Sequence, residues 1–102
     1  MKIPKSFKLG AHTWKIKYRK MADTFGICDP DEHIIYISTH LANRSTTETE
    51  QISTFIHEVG HAVLHTMGMD DNEQFVIAAE ELVLQIILTM RYPTKRTTTP
   101  KK

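Results

Sequence analysis

His57, Glu58 and His61 belong to a pentapeptide, His-Glu-Val-Gly-His, whose residue types and spacing suit one kind of chemistry. Imidazoles four apart on a helix lie on one face about one turn from each other, close enough to share a metal ion. Glu58 then projects roughly 100° around the helix, beside such an ion rather than on it. Two neutral nitrogen ligands, with a carboxylate placed to take a proton from activated water, are what a zinc hydrolase requires. The alternative is a chance match in a chain with six His, and the surrounding pattern argues against it.

A helix must carry these residues, and its signals are present. Ser45 with Glu48, or Thr47 with Glu50, can form a capping box at its start. Ile52, Phe55, Ile56, Val59, Val63 and Leu64 then recur at helical spacing, and Gly68 ends the run after Met67. Asp70 can cap a second helix reaching to about Met90, with Pro93 blocking continuation. The first forty residues read as sheet. Phe7 and Leu9 flank Lys8 before a Gly10-Ala11 turn, and Trp14, Ile16 and Tyr18 alternate with Lys15, Lys17 and Arg19. Phe25 to Cys28 forms a further segment, a turn follows at Asp29-Pro30-Asp31-Glu32, and His33 to Ser38 is rich in β-branched and aromatic residues. The expectation is an α+β domain over residues 1–92. It has three to four antiparallel strands in residues 1–40, then an antiparallel two-helix hairpin in residues 45–91. Residues 93–102 carry no apolar side chain and are expected to form a basic disordered tail.

A catalytic zinc needs a third protein ligand, and the second helix offers Glu73, Glu80 and Glu81. Steps of 100° put Phe75, Val76, Ala79, Val83, Leu84, Ile86 and Ile87 on one apolar arc. Glu81 falls outside it and reads as a solvated acid. Glu80 falls inside it, where an unpaired carboxylate would cost several kcal/mol. In an antiparallel hairpin Glu80 would also lie level with the two His, which makes it the favoured ligand. Glu73 is the alternative, although it can equally be the return arm of a capping box with Asp70. His65 lies about 12 Å along the helix from His57, too far to share the ion. His12, His33 and His40 carry no motif and read as structural, and Cys28, alone in the chain, reads as a small buried hydrophobe in a strand.

Charge is segregated although the net is only +1. Residues 1–22 hold seven Lys or Arg and no acid, residues 23–81 hold all twelve acids and only Arg44, and residues 82–102 hold five bases and no acid. Basic termini could touch nucleic acid, but few aromatics interleave with them, which favours the bland reading of solvated ends. There is no disulfide to form, no signal-like apolar run at Met-Lys-Ile-Pro-Lys, and no stretch of membrane-spanning length. A cytoplasmic setting without membrane attachment is expected.

The string HEVGHAVLH resembles the signature of the ImmA/IrrE-type metallopeptidases, within the wider zincin group. Met1 to Lys5, Gly10 to Trp14 and Thr54 to His61 are also similar to pieces of small zincin-like proteins encoded by phages and prophages of Gram-positive bacteria. The resemblance implies a minimal zincin-like fold in a bacterial or phage-infected cell. It also implies a site with two His and a general-base Glu on one helix and a Glu ligand on the next. In that family's ExxA-type segment the ligand would map to Glu73 rather than Glu80, and an acid or amide often follows where this chain has Ile77.

The expected function is that of a zinc metallopeptidase. Zn2+ would be held by His57, His61 and Glu80 (or Glu73), and Glu58 would be the general base in hydrolysis of a peptide or protein substrate. A substrate strand could pair with a sheet edge, and Tyr36, His65 or Tyr92 could assist the oxyanion. The alternatives are a non-catalytic, metal-stabilised module that binds a host or phage regulatory protein, and association with nucleic acid through the basic ends.

Overall fold

The computed structural model describes residues 2–89 of the protein. Met90, Tyr92 and the tail at 93–102 lie outside the described residues, so the expectations placed on them have no structural counterpart. The order of elements is β1 (Ser6–Leu9), β2 (His12–Arg19), β3 (Gly26–Asp29), β4 (Ile34–Ser38), β5 (His40–Leu41), β6 (Arg44–Ser45), α1 (Glu48–Thr66) and α2 (Glu73–Thr89). This is the α+β arrangement expected, a sheet followed by two helices.

The sheet departs from expectation in its pairing. Its order is β1-β2-β4-β3. Both hairpins are antiparallel, but β2 and β4 run parallel, with Ile16 opposite Ile35 and Tyr18 opposite Ile37. The chain therefore crosses over after β2, lays β3 at the edge, and returns through a turn to insert β4 in the centre. In that turn Asp29 Oδ1 accepts from the N–H groups of Asp31 and Glu32, both at 3.2 Å. The central place falls to the strand richest in β-branched side chains, and Ile35 and Ile37 are fully buried. A small β5–β6 hairpin, not anticipated, leads into α1.

One face of the sheet receives α1. Trp14, Ile16, Ile35 and Ile37 from the sheet meet Phe55 and Ala62 from the helix, with Phe7, Leu9, Cys28, Ile56 and Val59 packed around them. Of the two possible capping boxes, Thr47 with Glu50 is the one formed: Thr47 Oγ1 accepts from the Glu50 N–H at 3.1 Å, and the Glu50 carboxylate accepts from the Thr47 N–H at 2.9 Å. At the other end Gly68, with φ at 72°, closes a Schellman turn. Its N–H donates to the His65 carbonyl and the Met69 N–H donates to that of Leu64, each at 3.0 Å.

The cap of α2 is Asn72 rather than Asp70. Its Oδ1 accepts from the Phe75 N–H at 3.0 Å. The Schellman turn carries the chain through Met69 to Asp71 before the helix can begin, so Glu73 becomes the first helical residue and is not the arm of a capping box. From there α2 packs back along α1, and Val76 lies buried over Gly60, where an added Cβ would meet its methyl at 3.2 Å. Much of the apolar arc of α2 faces outward: Phe75 and Ile86 are more than half exposed and Val83 is exposed beside them, as is Leu82 outside the arc. No described helix is long and apolar enough to cross a membrane.

Candidate metal centre

Because α1 is regular through residues 57–61, His57 and His61 project from one face towards the antiparallel α2. Their Nε2 atoms stand 3.3 Å apart. The first turn of α2 brings Glu73 onto the same point, with Oε2 at 3.0 Å from His57 Nε2 and Oε1 at 2.8 Å from His61 Nε2. Among the described residues, His57, His61 and Glu73 form the cluster of three side chains whose donor atoms converge closely enough to hold a metal ion. In a tetrahedral zinc site with bonds of about 2.0–2.1 Å, ligand atoms sit roughly 3.3 Å from one another, so the donor types and spacings here fit zinc.

The remote nitrogens of both rings are also occupied. His57 Nδ1 lies 2.9 Å from Glu80 Oε1, and His61 Nδ1 lies 2.6 Å from Asp71 Oδ1. The Ser53 hydroxyl donates to the other oxygen of Glu80. Glu80 is thus the partly buried carboxylate with a strong partner that the apolar arc demanded, but the partner it meets directly is an imidazole. Asp71 carries no sequence signal of its own. Only the exit angle of the Schellman turn places it beside His61.

Glu58 lies on the sheet side of the cluster and lines the cleft that opens over it. It is buried against Gly26 of β3, where an added Cβ would lie 3.3 Å from the Glu58 Cγ. Burial raises the Glu58 carboxyl above its ordinary range; the charges of His57 and His61 oppose that, while Glu73 and Asp71 add to it. For His61, burial lowers the imidazole. The hydrogen bond to Asp71, with the charges of Asp71, Glu58 and Glu73, outweighs this and leaves it raised. The site favours positive charge at the point where the three donors meet.

A cleft of about 470 Å3 opens over these residues, with Gly26, Cys28 and Pro30 along one side and His65 and Met69 at one end. Cys28, which packs against the core from β3, is half-buried rather than fully buried and shows its other side on the cleft wall. Burial, followed by the charges of Glu58, Asp71 and Asp29, pushes its thiol up to about 12. Tyr36 stands on the opposite face of the sheet, with the Arg19 guanidinium 4.0 Å above its ring. Strand alternation sends it away from the cleft, so it cannot serve there. The remaining His are accounted for by stacking and local bonds. His12 lies on His33 at 4.0 Å, His33 meets Trp14 edge-on at 5.2 Å, and His40 Nδ1 pairs with the Thr39 hydroxyl at 2.9 Å.

Comparison with protein families matches residues 2–82 to the SprT-like family, and the chain belongs to that family. SprT-like domains have a zincin-like, metallopeptidase-like fold, in keeping with the HExxH helix and the His/His/Glu cluster. No curated protein and no solved structure matches the chain.

Proposed function

We propose that this SprT-like chain is a zinc-dependent peptidase. Its ion is held by His57, His61 and Glu73, and Glu58 is the general base. The observation that carries this reading is the meeting of three donor atoms, all within 4.8 Å of one another, beside a buried carboxylate in an open cleft. The geometry supports Glu73 over Glu80 as third ligand. Glu80 and Asp71 are positioning residues that fix the tautomer and tilt of the two rings through their Nδ1 atoms. The likeness of α1 to the ImmA/IrrE-type peptidases supports the same chemistry, and a phage or prophage origin and a bacterial cytoplasmic setting belong to this proposal.

A zinc ion in this cluster supplies Lewis acidity towards water and towards a peptide carbonyl. The protein does the rest. Glu58 accepts a proton from the attacking water as the new C–O bond forms, then delivers it to the peptide nitrogen as the C–N bond breaks. Its raised affinity for protons suits both halves of that transfer. Strand β3 lies at the sheet edge beside the cleft, and a substrate segment can add to it as a further strand, bound through its backbone. His65, on the cleft rim, is the candidate donor to the developing oxyanion.

The test is Glu58→Gln. The variant should bind zinc as the wild type does and lose about 10²- to 10⁴-fold in the rate of cleaving an unfolded polypeptide. Cleavage at the wild-type rate would sink the assignment.

A second reading, association with nucleic acid, is favoured by one observation. Lys8, Lys15, Lys17 and Arg19 are exposed on the sheet face opposite the core, and Arg19 stacks on Tyr36 there. It predicts DNA or RNA binding that falls steeply with salt and weakens when these residues are neutralised. Binding that is absent at low salt removes it.

A further inference from the structure

The two edges of the sheet have different surroundings. Strand β3 forms the edge beside the metal cluster, and β1 forms the opposite one. With strands about 4.8 Å apart, the two edges are separated by roughly 14 Å. The β1 edge adjoins a second hollow, of about 430 Å3, that lies between this strand and α2 with α1 as its floor. Phe7 from β1, Val59 and Val63 from α1, and Phe75 and Val83 from α2 line it. Among the described residues, Glu80 is the one charged side chain that reaches it, and its two oxygens are held by Ser53 and His57.

The backbone of β1 is open beside this hollow. The Ile16 N–H donates to the Lys5 carbonyl at 3.0 Å, and the register sets Phe7 opposite Trp14 and Leu9 opposite His12. The alternation of an antiparallel ladder makes those the pairs bonded to β2, so the N–H and C=O of Ser6 and Lys8 point outward. Among the described residues, no backbone group on that outer side takes them. Phe7 and Leu9 are half-buried on the inner face, while the Ser6 and Lys8 side chains are exposed on the other. Phe7 is fixed by stacking on Trp14 at 6.3 Å and by meeting Phe55 edge-on at 6.1 Å. The edge is therefore formed before anything binds to it.

These features set the chemistry of an occupant. A strand added to β1 drops the side chains opposite Phe7 and Leu9 into the hollow, where apolar ones gain burial against Val59, Val63 and Phe75. The residue between them stands opposite Lys8 on the outer face, with Lys15 across from Ser6 on that same face, so an acid is favoured there. A second copy of this chain adding its own β1 would bring Lys5 and Lys8 against their counterparts, which is unfavourable. Residues 90–102 likewise offer five bases and no acid. We infer that the β1 edge is a docking site for an extended segment of a partner protein, in which an acidic residue stands between two apolar ones. The site is separate from the metal cluster and does not depend on the chain being a peptidase.

The probe is a fluorescein-labelled peptide with blocked ends, Thr-Thr-Ile-Asp-Ile-Thr-Thr. It is titrated by fluorescence anisotropy against the whole chain as zinc-loaded Glu58→Gln, in which cleavage does not interfere. Exchange of Asp for Lys should weaken binding about five- to tenfold, and exchange of both Ile for Ser about tenfold or more. N-methylation of the peptide backbone should abolish binding, because strand addition works through those N–H groups. In the chain, Lys8→Glu should reverse the order of the Asp and Lys peptides. Phe75→Ala should weaken the Asp peptide about fivefold with zinc retained. Absence of binding by the Asp peptide, equal binding by the Asp, Lys and Ser peptides, or binding that survives N-methylation overturns the site. So does a dimer in sedimentation equilibrium that Phe75→Ala dissociates, since the face then belongs to a second copy. All of these outcomes leave the peptidase reading untouched.

Discussion

Glu80 meets His57 from the side opposite the metal cluster, with 2.9 Å between its Oε1 and the ring Nδ1. Glu73, at the start of the same helix, meets the Nε2 of that ring at 3.0 Å. One imidazole is therefore held between two carboxylates of α2, and the two should behave differently when removed. Glu73→Ala should lose bound zinc, as should His61→Ala. Glu80→Ala should keep zinc at an affinity lower by about 10- to 100-fold. Metal content after purification, followed by competition with a chelator, separates them. Loss of zinc in Glu80→Ala with retention in Glu73→Ala would reverse the two roles.

Gly26 and Gly60 both admit a neighbour to the site, but at different cost. A Cβ on Gly26 would lie 2.5 Å from the Thr54 methyl and 2.9 Å from the Tyr36 carbonyl oxygen, and backbone cannot yield readily. Gly26→Ala should destabilise the fold by about 1–3 kcal/mol. At Gly60 the neighbour is the Val76 side chain at 3.2 Å, and Ala gains about 1 kcal/mol of helix propensity over Gly. Gly60→Ala should therefore be close to neutral in stability. Thermal or urea unfolding of the two variants checks the contrast, and a Gly26→Ala protein as stable as Gly60→Ala would contradict it.

The Arg44 guanidinium, with the Thr47 N–H, holds the Glu50 carboxyl down at about 2. A carboxyl depressed in the folded state contributes stability that is full above its unfolded value of about 4.5 and fades as the pH falls towards 2. The stability difference between wild type and Glu50→Gln should accordingly be constant near neutrality and shrink across that window. Both side chains are solvent-facing, so the difference should also shrink in high salt. A difference unchanged from pH 6 to pH 2 would rule out this pairing as its source.

Cys28 should be a poor nucleophile. With the thiol at about 12 rather than its ordinary 9.0, the thiolate fraction at neutral to mildly alkaline pH falls on the order of a thousandfold. In metal-free native protein a thiol reagent should label it slowly, and at the ordinary rate once the chain is unfolded. Equal rates in the two states would show the thiol to be freely ionised on the cleft wall.

The parts of the site that the sequence announces are those fixed by local geometry. A regular helix from 48 to 66 places His57, Glu58 and His61 whatever else the chain does. The burial pattern of Trp14, Ile16, Ile35 and Ile37 likewise follows strand alternation. What stayed hidden depends on how elements meet. Alternation says which face of β4 is buried but not that β4 enters between β2 and β3, so the parallel pair was not legible. The convergence of Glu73 on the two His depends on a cap. With Asp70 as cap, Glu73 looked like a capping arm; with Asn72 as cap it is the first residue of the helix and faces the two His. Glu80 was legible as a buried acid in need of a partner, but not which nitrogen, or which ion, would satisfy it.

The three converging donors come from two helices, and α2 rests chiefly on α1 with much of its apolar surface uncovered. A cation bound across them would act as a removable cross-link, and its binding free energy would be added to the docking of α2 by thermodynamic linkage. Chelation would then do more than silence chemistry. It would release α2 first, and with it Glu73 and Glu80, so hydrogen exchange in residues 73–89 should accelerate ahead of that in the sheet. Metal supply would thus regulate how much of the chain is assembled at any moment.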